Sequence, residues 1–482
     1  MRPIATLICA LGLIAVAGAS SARETAAAAA QVSDDEIKAG LEKARAALDN
    51  AVRRIEELEA RLESLNGNLG AASDGFSSLS AHLEDLEGKS KEACAPRPGF
   101  PLVFQPYGYV KVDVIYDDAR TSATDLAAFV LPEKPGFGSD RQFSVTVRQA
   151  RLGVNILGPD IGTGKQTGKI EIDFYAPASV ENKPELMLRQ AYWQLAYPDW
   201  SLLVGNAGEV VSPLFPNSIN YAYLALSGSP GYRKPMVRYG RTDKVFGDKT
   251  LQTGVALVRG IGSSIVSASS LDDEASDAAW PVLQSRIGIS IPTSVGRPLT
   301  IGLSGHLGQE EYDIVVVDGT SLKVTSGKGD EYMTYSGNID WKIPVLKELD
   351  FNGEFWAGRN LDAYMAGIGQ GVNTGSTQGA KNFAKALNVP VDAIGGWGQF
   401  CYRPKQLPKW LFTVGAGIDD PDNNDLSGAV NRSRNATYFT NATYSLSDKT
   451  VVGMELSYMK TSYINDCDGD DIRVQTMLQY DF

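Results

Sequence analysis

From residue 107 to the end, the chain repeats one pattern: short segments in which apolar and polar residues alternate with a period of two. That period belongs to β-strands, whose successive side chains point to opposite faces. The first segment shows it plainly, with Val110, Val112, Val114 and Tyr116 on one face and Tyr109, Lys111 and Asp113 on the other. Sixteen such segments can be marked, near 107–116, 143–156, 167–175, 187–197, 201–208, 235–242, 250–260, 282–292, 299–308, 331–343, 348–358, 393–404, 409–418, 435–446, 450–462 and 471–482. Their connections alternate in length. Those after even-numbered strands are tight, for instance Thr293 to Pro298 and Leu446 to Lys449, whereas Asp117 to Gln142, Glu209 to Lys234 and Arg359 to Asp392 are long. Tight turns on one rim and long loops on the other are the signature of an outer-membrane barrel, and a soluble sandwich or propeller gives no such two-sided alternation. The expected fold is therefore all-β, a 16-stranded antiparallel transmembrane β-barrel over 107–482.

Composition agrees with this reading. Hydrophobic residues make up 43% of the 482, and after Ile4–Ala17 no apolar run is long enough for a membrane helix, so strands must do any spanning. A net charge of -12 removes the general nucleic-acid binders. Residues 1–22 carry Arg2, the apolar run and a small-residue stretch ending at Ala22, the layout of a secretory signal peptide. Residues 33–90 then keep a seam at alternating steps of four and three that includes Leu41, Leu48, Ile55, Leu58, Leu62, Leu65 and Leu69. This predicts an α-helical coiled coil of roughly 75 Å that oligomerises the barrel on its C-terminal side. The proline-bearing stretch 91–106 reads as a linker.

Barrels of sixteen strands enclose water, so the expected product is a channel for small hydrophilic solutes. Strand parity turns Lys111, Arg151, Lys169, Arg238 and Arg286 into the lumen, interleaved with Asp113, Glu171, Asp173, Glu354 and Glu455. Guanidinium groups in a confined lumen hold carboxylates bidentately, which favours anionic organic solutes. Catalysis is not expected: His82 and His306 are the two histidines, one in the coil and one turned into the lumen. The four cysteines lack CxxC spacing, and no cofactor or metal is called for. Asp419–Asp422 and Asp466–Asp471 gather oxygen ligands without a full calcium-loop pattern, and solvated turns are the better reading.

Several motifs carry a resemblance. They are Tyr107–Asp113 (YGYVKVD), Arg189–Tyr192 (RQAY), Asn352–Gly358 (NGEFWAG), Gly395–Gln399 (GGWGQ), Asp419–Pro421 (DDP) and Arg434–Asn441 (RNATYFTN). With the N-terminal coil, they resemble the DcaP-like outer-membrane porins of Gram-negative bacteria. The resemblance implies a homotrimer in outer-membrane lipid, a periplasmic coiled coil, and uptake of small anions such as dicarboxylic or aromatic acids. In trimeric porins the third long loop folds inward, which points to Phe215, Asn217, Asn220, Tyr221 and Tyr223 as a constriction. Tyr480 and the terminal Phe482 resemble the signal read by barrel-assembly machinery. Two alternatives stay open: a sugar porin using Tyr107, Tyr109, Tyr192 and Trp397, or a tether to peptidoglycan with the barrel as anchor.

Overall fold

The structure is a computed structural model. It describes residue 53 and residues 102–482 except 133–139, 177–182, 261–277, 313–314, 318–323, 327–329, 374–388, 427–430 and 465–466. The chain divides into two compact units, Met1–Ala93 and Cys94–Phe482. The signal peptide, the coiled-coil seam from Leu41 to Leu69 and most of the linker lie outside the described residues.

The second unit is one closed antiparallel sheet. Its strands are β1 (Val103–Asp117), β2 (two segments, Gln142–Thr146 and Arg151–Leu157), β3 (Lys165–Asp173), β4 (Met187–Ala196), β5 (Trp200–Gly208), β6 (Arg233–Val245), β7 (Lys249–Val258) and β8 (Val282–Ile291). They continue as β9 (Leu299–Tyr312), β10 (Asp330–Pro344), β11 (Leu349–Arg359), β12 (Asp392–Tyr402), β13 (Trp410–Pro421), β14 (Arg432–Ser445), β15 (Thr450–Tyr463) and β16 (Gly469–Asp481). Each pairs with the next, and β16 returns to β1 over Tyr109–Asp117, closing a 16-stranded barrel with no free edge.

Two details depart from the simple pattern. β1 begins at Val103, inside the stretch read as linker, and so includes Pro106. β16 reaches only as far as Tyr109, so Pro106 pairs on one side alone, with Val154, and its missing N–H costs no ladder bond. β2 is broken at 147–150, where Arg148 turns in to grip Asp125 of the first loop at 2.8 Å.

The outward face is apolar: Val110, Leu152, Ile170, Val237, Ile287, Phe355, Val414, Leu456 and Leu478 are all exposed on it. At the short-turn rim it is bordered by aromatic stacks, Tyr197 on Trp200 at 4.6 Å and Trp410 beside Tyr444 at 4.9 Å. The inward face is polar, and its buried groups include Lys111, Asp113, Glu171, Asp173, Glu354, Gln399, Asn441 and Glu455. What buries them is the third long loop, residues 209–232.

Candidate functional site

The third loop leaves β5 at Gly208 and crosses the lumen. Its backbone lies close to the far wall because that wall supplies glycines there. A side chain on Gly417 would meet the Ser227 carbonyl at 2.1 Å, and one on Gly228, whose φ is +109°, would meet the Gly396 carbonyl at 2.2 Å. Of these, Gly396 lies within the Gly395–Gln399 motif. An apolar knot of Leu214, Leu224, Trp397 and Phe439 fills the space between loop and wall.

A loop so buried must satisfy its backbone polar groups, and the wall's carboxylates and amides do this. Glu354 accepts the Leu214 N–H at 2.8 Å and the Ser212 hydroxyl. Gln399 accepts the Asn217 N–H at 2.7 Å, and the Asn217 amide donates to Thr413 at 2.8 Å. Glu455 accepts the Ile219 N–H at 2.7 Å and the Ser218 hydroxyl at 2.8 Å. The Asn220 amide donates to the Ala127 carbonyl of the first loop at 2.8 Å. On the near wall, Tyr221 donates to Asp173 and receives a bond from Arg189, while Gln149 donates to the Tyr223 hydroxyl at 2.8 Å. Burial raises the pKa of both phenols, so they remain neutral at physiological pH. Phe215 stays 61% exposed and projects from the loop, edge-on to Tyr223.

The base of the loop is locked differently. Glu209 is buried and accepts from Gln284 at 2.6 Å and from the Tyr232 N–H at 3.0 Å, with Lys234 at 3.7 Å. The Lys234 ammonium sits 3.3 Å from the Tyr364 ring centroid, and Tyr364 in turn stacks on His306 at 3.9 Å. His306 faces inward and bonds Ser336 and Thr334, each at 2.8 Å. Tyr364 belongs to the sixth loop, which also reaches the third through the Gly231 N–H to Tyr364 carbonyl bond at 2.7 Å. Burial pushes the carboxyls of Glu209 and Asp362 upward, with Lys234 opposing.

The inward cations named from sequence parity fall into two groups. Lys111 is 2% exposed and bonds Gln149, Asp113 at 3.0 Å and the Ile219 carbonyl at 3.1 Å, so it anchors the loop. Arg286 forms a bidentate pair with Asp340 at 2.7 and 2.9 Å and is neutralised. Lys169 instead sits 5.0 Å above the Tyr107 ring, and Arg238 donates to the Gly208 carbonyl at 3.2 Å. Arg151 stacks at 5.3 Å over Tyr109, with Glu171 at 3.6 Å. Parity does not single out two further cations. Arg189 pairs with Asp173 and with Glu171 at 3.2 Å, and Arg233 stacks at 4.6 Å on Tyr232. Arg189 is visible inside the Arg189–Tyr192 motif, while Arg233 stands at a loop–strand join where parity gives no guide.

The charge balance follows from these contacts. The lumen acids Glu171, Asp173, Asp340, Glu354 and Glu455 are all engaged by cations or hydrogen-bond donors. Among the described residues, Lys169, Arg233 and Arg238 have no carboxylate within 4.0 Å. These three cations lie on β3 and β6 beside a tyrosine-rich wall. Among the described residues, no group of three or more His, Cys, Asp or Glu could hold a metal ion.

No family model and no curated protein matches the chain. Solved structures do. The outer-membrane channel DcaP of Acinetobacter baumannii superimposes with a TM-score of 0.60 at 18% identity, over 80% of this chain and 99% of that one. The barrel has the DcaP-like porin fold. OmpF of Salmonella typhi, solved with daunomycin, aligns with a TM-score of 0.50 at 11% identity, over 80% and 99% of the two chains.

Proposed function

We propose that this protein is an outer-membrane porin, a diffusion channel for small hydrophilic solutes that prefers organic anions such as dicarboxylates or aromatic acids. The observation that carries the preference is which lumen charges are already engaged: Glu354 and Glu455 hold the third loop and Asp340 holds Arg286, while Lys169, Arg233 and Arg238 have no carboxylate partner among the described residues. A carboxylate entering this path gains charge-assisted bonds, and an aromatic body would lie against Tyr107, Tyr109 and Tyr192. Phe215, Asn217, Asn220, Tyr221 and Tyr223 form the constriction in this reading.

The channel works as a trimer in the outer membrane of a Gram-negative bacterium. The signal peptide directs export, and residues 33–90 form a periplasmic coiled coil that reinforces the trimer. The apolar outward face and the rim of aromatic stacks support the membrane placement.

The test is block of ion current by phthalate in a planar bilayer. The wild type should show concentration-dependent block, weakened about a hundredfold in Lys169→Ala/Arg238→Ala, since each of the two lost charge-assisted bonds contributes about 1.5 kcal/mol. Arg286→Ala/Asp340→Ala removes a neutral pair and should leave the block unchanged. Equal loss in both double variants would show that the free cations are not the solute contacts.

A further inference from the structure

The sixth long loop, which joins β11 to β12, turns inward as the third does. Its residues 360–371 carry two short 3₁₀ turns, Asp362–Tyr364 and Gly367–Gly369. Leu361, Ala363 and Ala366 form one buried apolar knot with Trp356 of β11, Ala393 of β12 and Val211 of the third loop. The segment is clamped at the rim of β13 and β14. The Gln370 amide donates to the Arg432 carbonyl at 2.8 Å and accepts the Arg432 N–H at 3.0 Å. The Arg432 guanidinium donates to the Ile368 carbonyl at 3.0 Å, and the buried Asp419 accepts the Ile368 N–H at 3.0 Å.

On its other side the segment meets the third loop, whose two limbs are held differently. The leading limb, 212–219, is fastened to the wall by Glu354, Gln399 and Glu455. Along the returning limb, 224–231, Trp356 and Asn435 of the wall donate to the Gly228 and Leu226 carbonyls, at 2.9 and 2.6 Å. The N–H groups of that limb look to the sixth loop instead: Leu226 donates to the Met365 carbonyl at 3.0 Å and Gly231 to the Tyr364 carbonyl at 2.7 Å. Leu226 and Met365 both have left-handed backbone, with φ of +59° and +56°, as does Ile368 at +50°. Residues other than glycine keep that conformation where the surrounding structure imposes it, so the joint between the loops depends on what holds each of them.

We infer that residues 360–371 are a strut that sets the width of the constriction, and that Gln370 and Asp419, neither of which bonds the third loop, are positioning residues acting through it. The inference rests on the reading of the barrel as a channel. Undoing the clamp at Gln370 lets the strut withdraw from the third loop. The Leu226 and Gly231 N–H groups then lose their acceptors, and a buried backbone donor without a partner drives its segment toward water. The returning limb runs from Tyr223 to Arg233, so its displacement widens the lumen where the tyrosines of the third loop narrow it.

Amide hydrogen exchange and liposome swelling on the same purified protein test it. Gln370→Ala should speed exchange about tenfold in peptides covering 224–231 and leave those covering 212–219 protected. It should also raise the entry of maltose relative to glucose, with Gln370→Glu, which still accepts the Arg432 N–H, lying between it and the wild type. A covalent lock separates strut release from general loosening. A Cβ built on Gly367 lies 3.8 Å from the Ala393 Cβ, the separation of a disulfide, and its φ of +63° asks of a cysteine what Met365 and Ile368 already bear. In Gln370→Ala with Gly367→Cys and Ala393→Cys, and with Cys94, Cys401 and Cys467 replaced by Ser, oxidation should restore both wild-type readings and reduction should undo them. Wild-type exchange at 224–231 in Gln370→Ala, faster exchange with an unchanged sugar ratio, or a formed disulfide that restores neither reading would each overturn the proposal. A wild type that admits no sugar fails the channel reading instead, and the exchange rates still report whether the strut holds the limb.

Discussion

Removing the carboxylate at the tip of the third loop should loosen that loop without breaking the wall. Glu455 on β15 is 1% exposed and accepts four bonds: Ile219 N–H at 2.7 Å and the Ser218 hydroxyl at 2.8 Å from the loop, and Asn441 at 2.9 Å and Ser457 at 3.1 Å from the wall. A hydrogen bond to a charged acceptor contributes about 1.5–3 kcal/mol, so in Glu455→Ala the loop loses roughly 3–6 kcal/mol of anchoring. Lumen water re-solvates the orphaned donors and brings the loss toward about 3 kcal/mol, still a factor of roughly 150 in the population of the displaced tip. Lys111, which donates to the Ile219 carbonyl, and Asn441, which donates to the Asn217 carbonyl at 2.7 Å, keep the loop from leaving altogether. The expected result in single-channel recording is a larger mean conductance with added open-channel noise, while the heat-dependent gel shift of the folded barrel is retained. Glu455→Gln, which keeps one acceptor oxygen, should show a smaller effect of the same sign. Wild-type conductance and noise in an intact Glu455→Ala barrel would mean that Glu455 does not hold the loop tip.

The same contacts give three further expected outcomes. Arg189→Leu strands Asp173, whose side chain is fully buried, and should cost about 3–5 kcal/mol, read as a lower melting temperature that Arg189→Leu/Asp173→Leu partly restores. Gly228→Ala puts a methyl onto the Gly396 carbonyl at a φ of +109°, which should push the third loop off β12 and raise conductance at a stability cost of about 1–3 kcal/mol. Phe482 donates its N–H to the Gly108 carbonyl at 3.1 Å and lays its ring over that glycine, so Phe482→Ala should lower the yield of folded barrel in cell envelopes more than it lowers the melting temperature of the barrel that does form.

The wall was legible in the sequence because its rules are local. Period-two alternation located all sixteen strands, and parity turned Arg151, Arg238, Arg286 and His306 to the side on which they stand. Parity says nothing about which charges cancel across strands. Arg286 meets Asp340 from 54 residues away, and Lys111 meets the Ile219 carbonyl from 108 residues away, so two residues read as equal members of a cationic path turn out to be a neutral pair and a loop anchor. The break in β2 escaped for the same reason, since Asp125, which draws Arg148 inward, lies in a loop with no periodic signal. Pro106 misled the start of β1 because a proline breaks a strand only where its N–H would face a paired neighbour, and here it faces the side that β16 does not reach. The path of the third loop was open to analogy but not to derivation. Its course depends on glycines at 396 and 417 whose role is visible only once the loop backbone lies against them.

In the proposed function, Lys169, Arg233 and Arg238 make the solute path favour anions in spite of the acidity of the whole chain. The reversal potential of the wild-type channel across a KCl gradient in a neutral bilayer reads that selectivity directly. An anion-preferring path gives a potential on the chloride side of zero that moves toward zero in Lys169→Ala/Arg238→Ala, and a cation-selective potential in the wild type would overturn the anion preference.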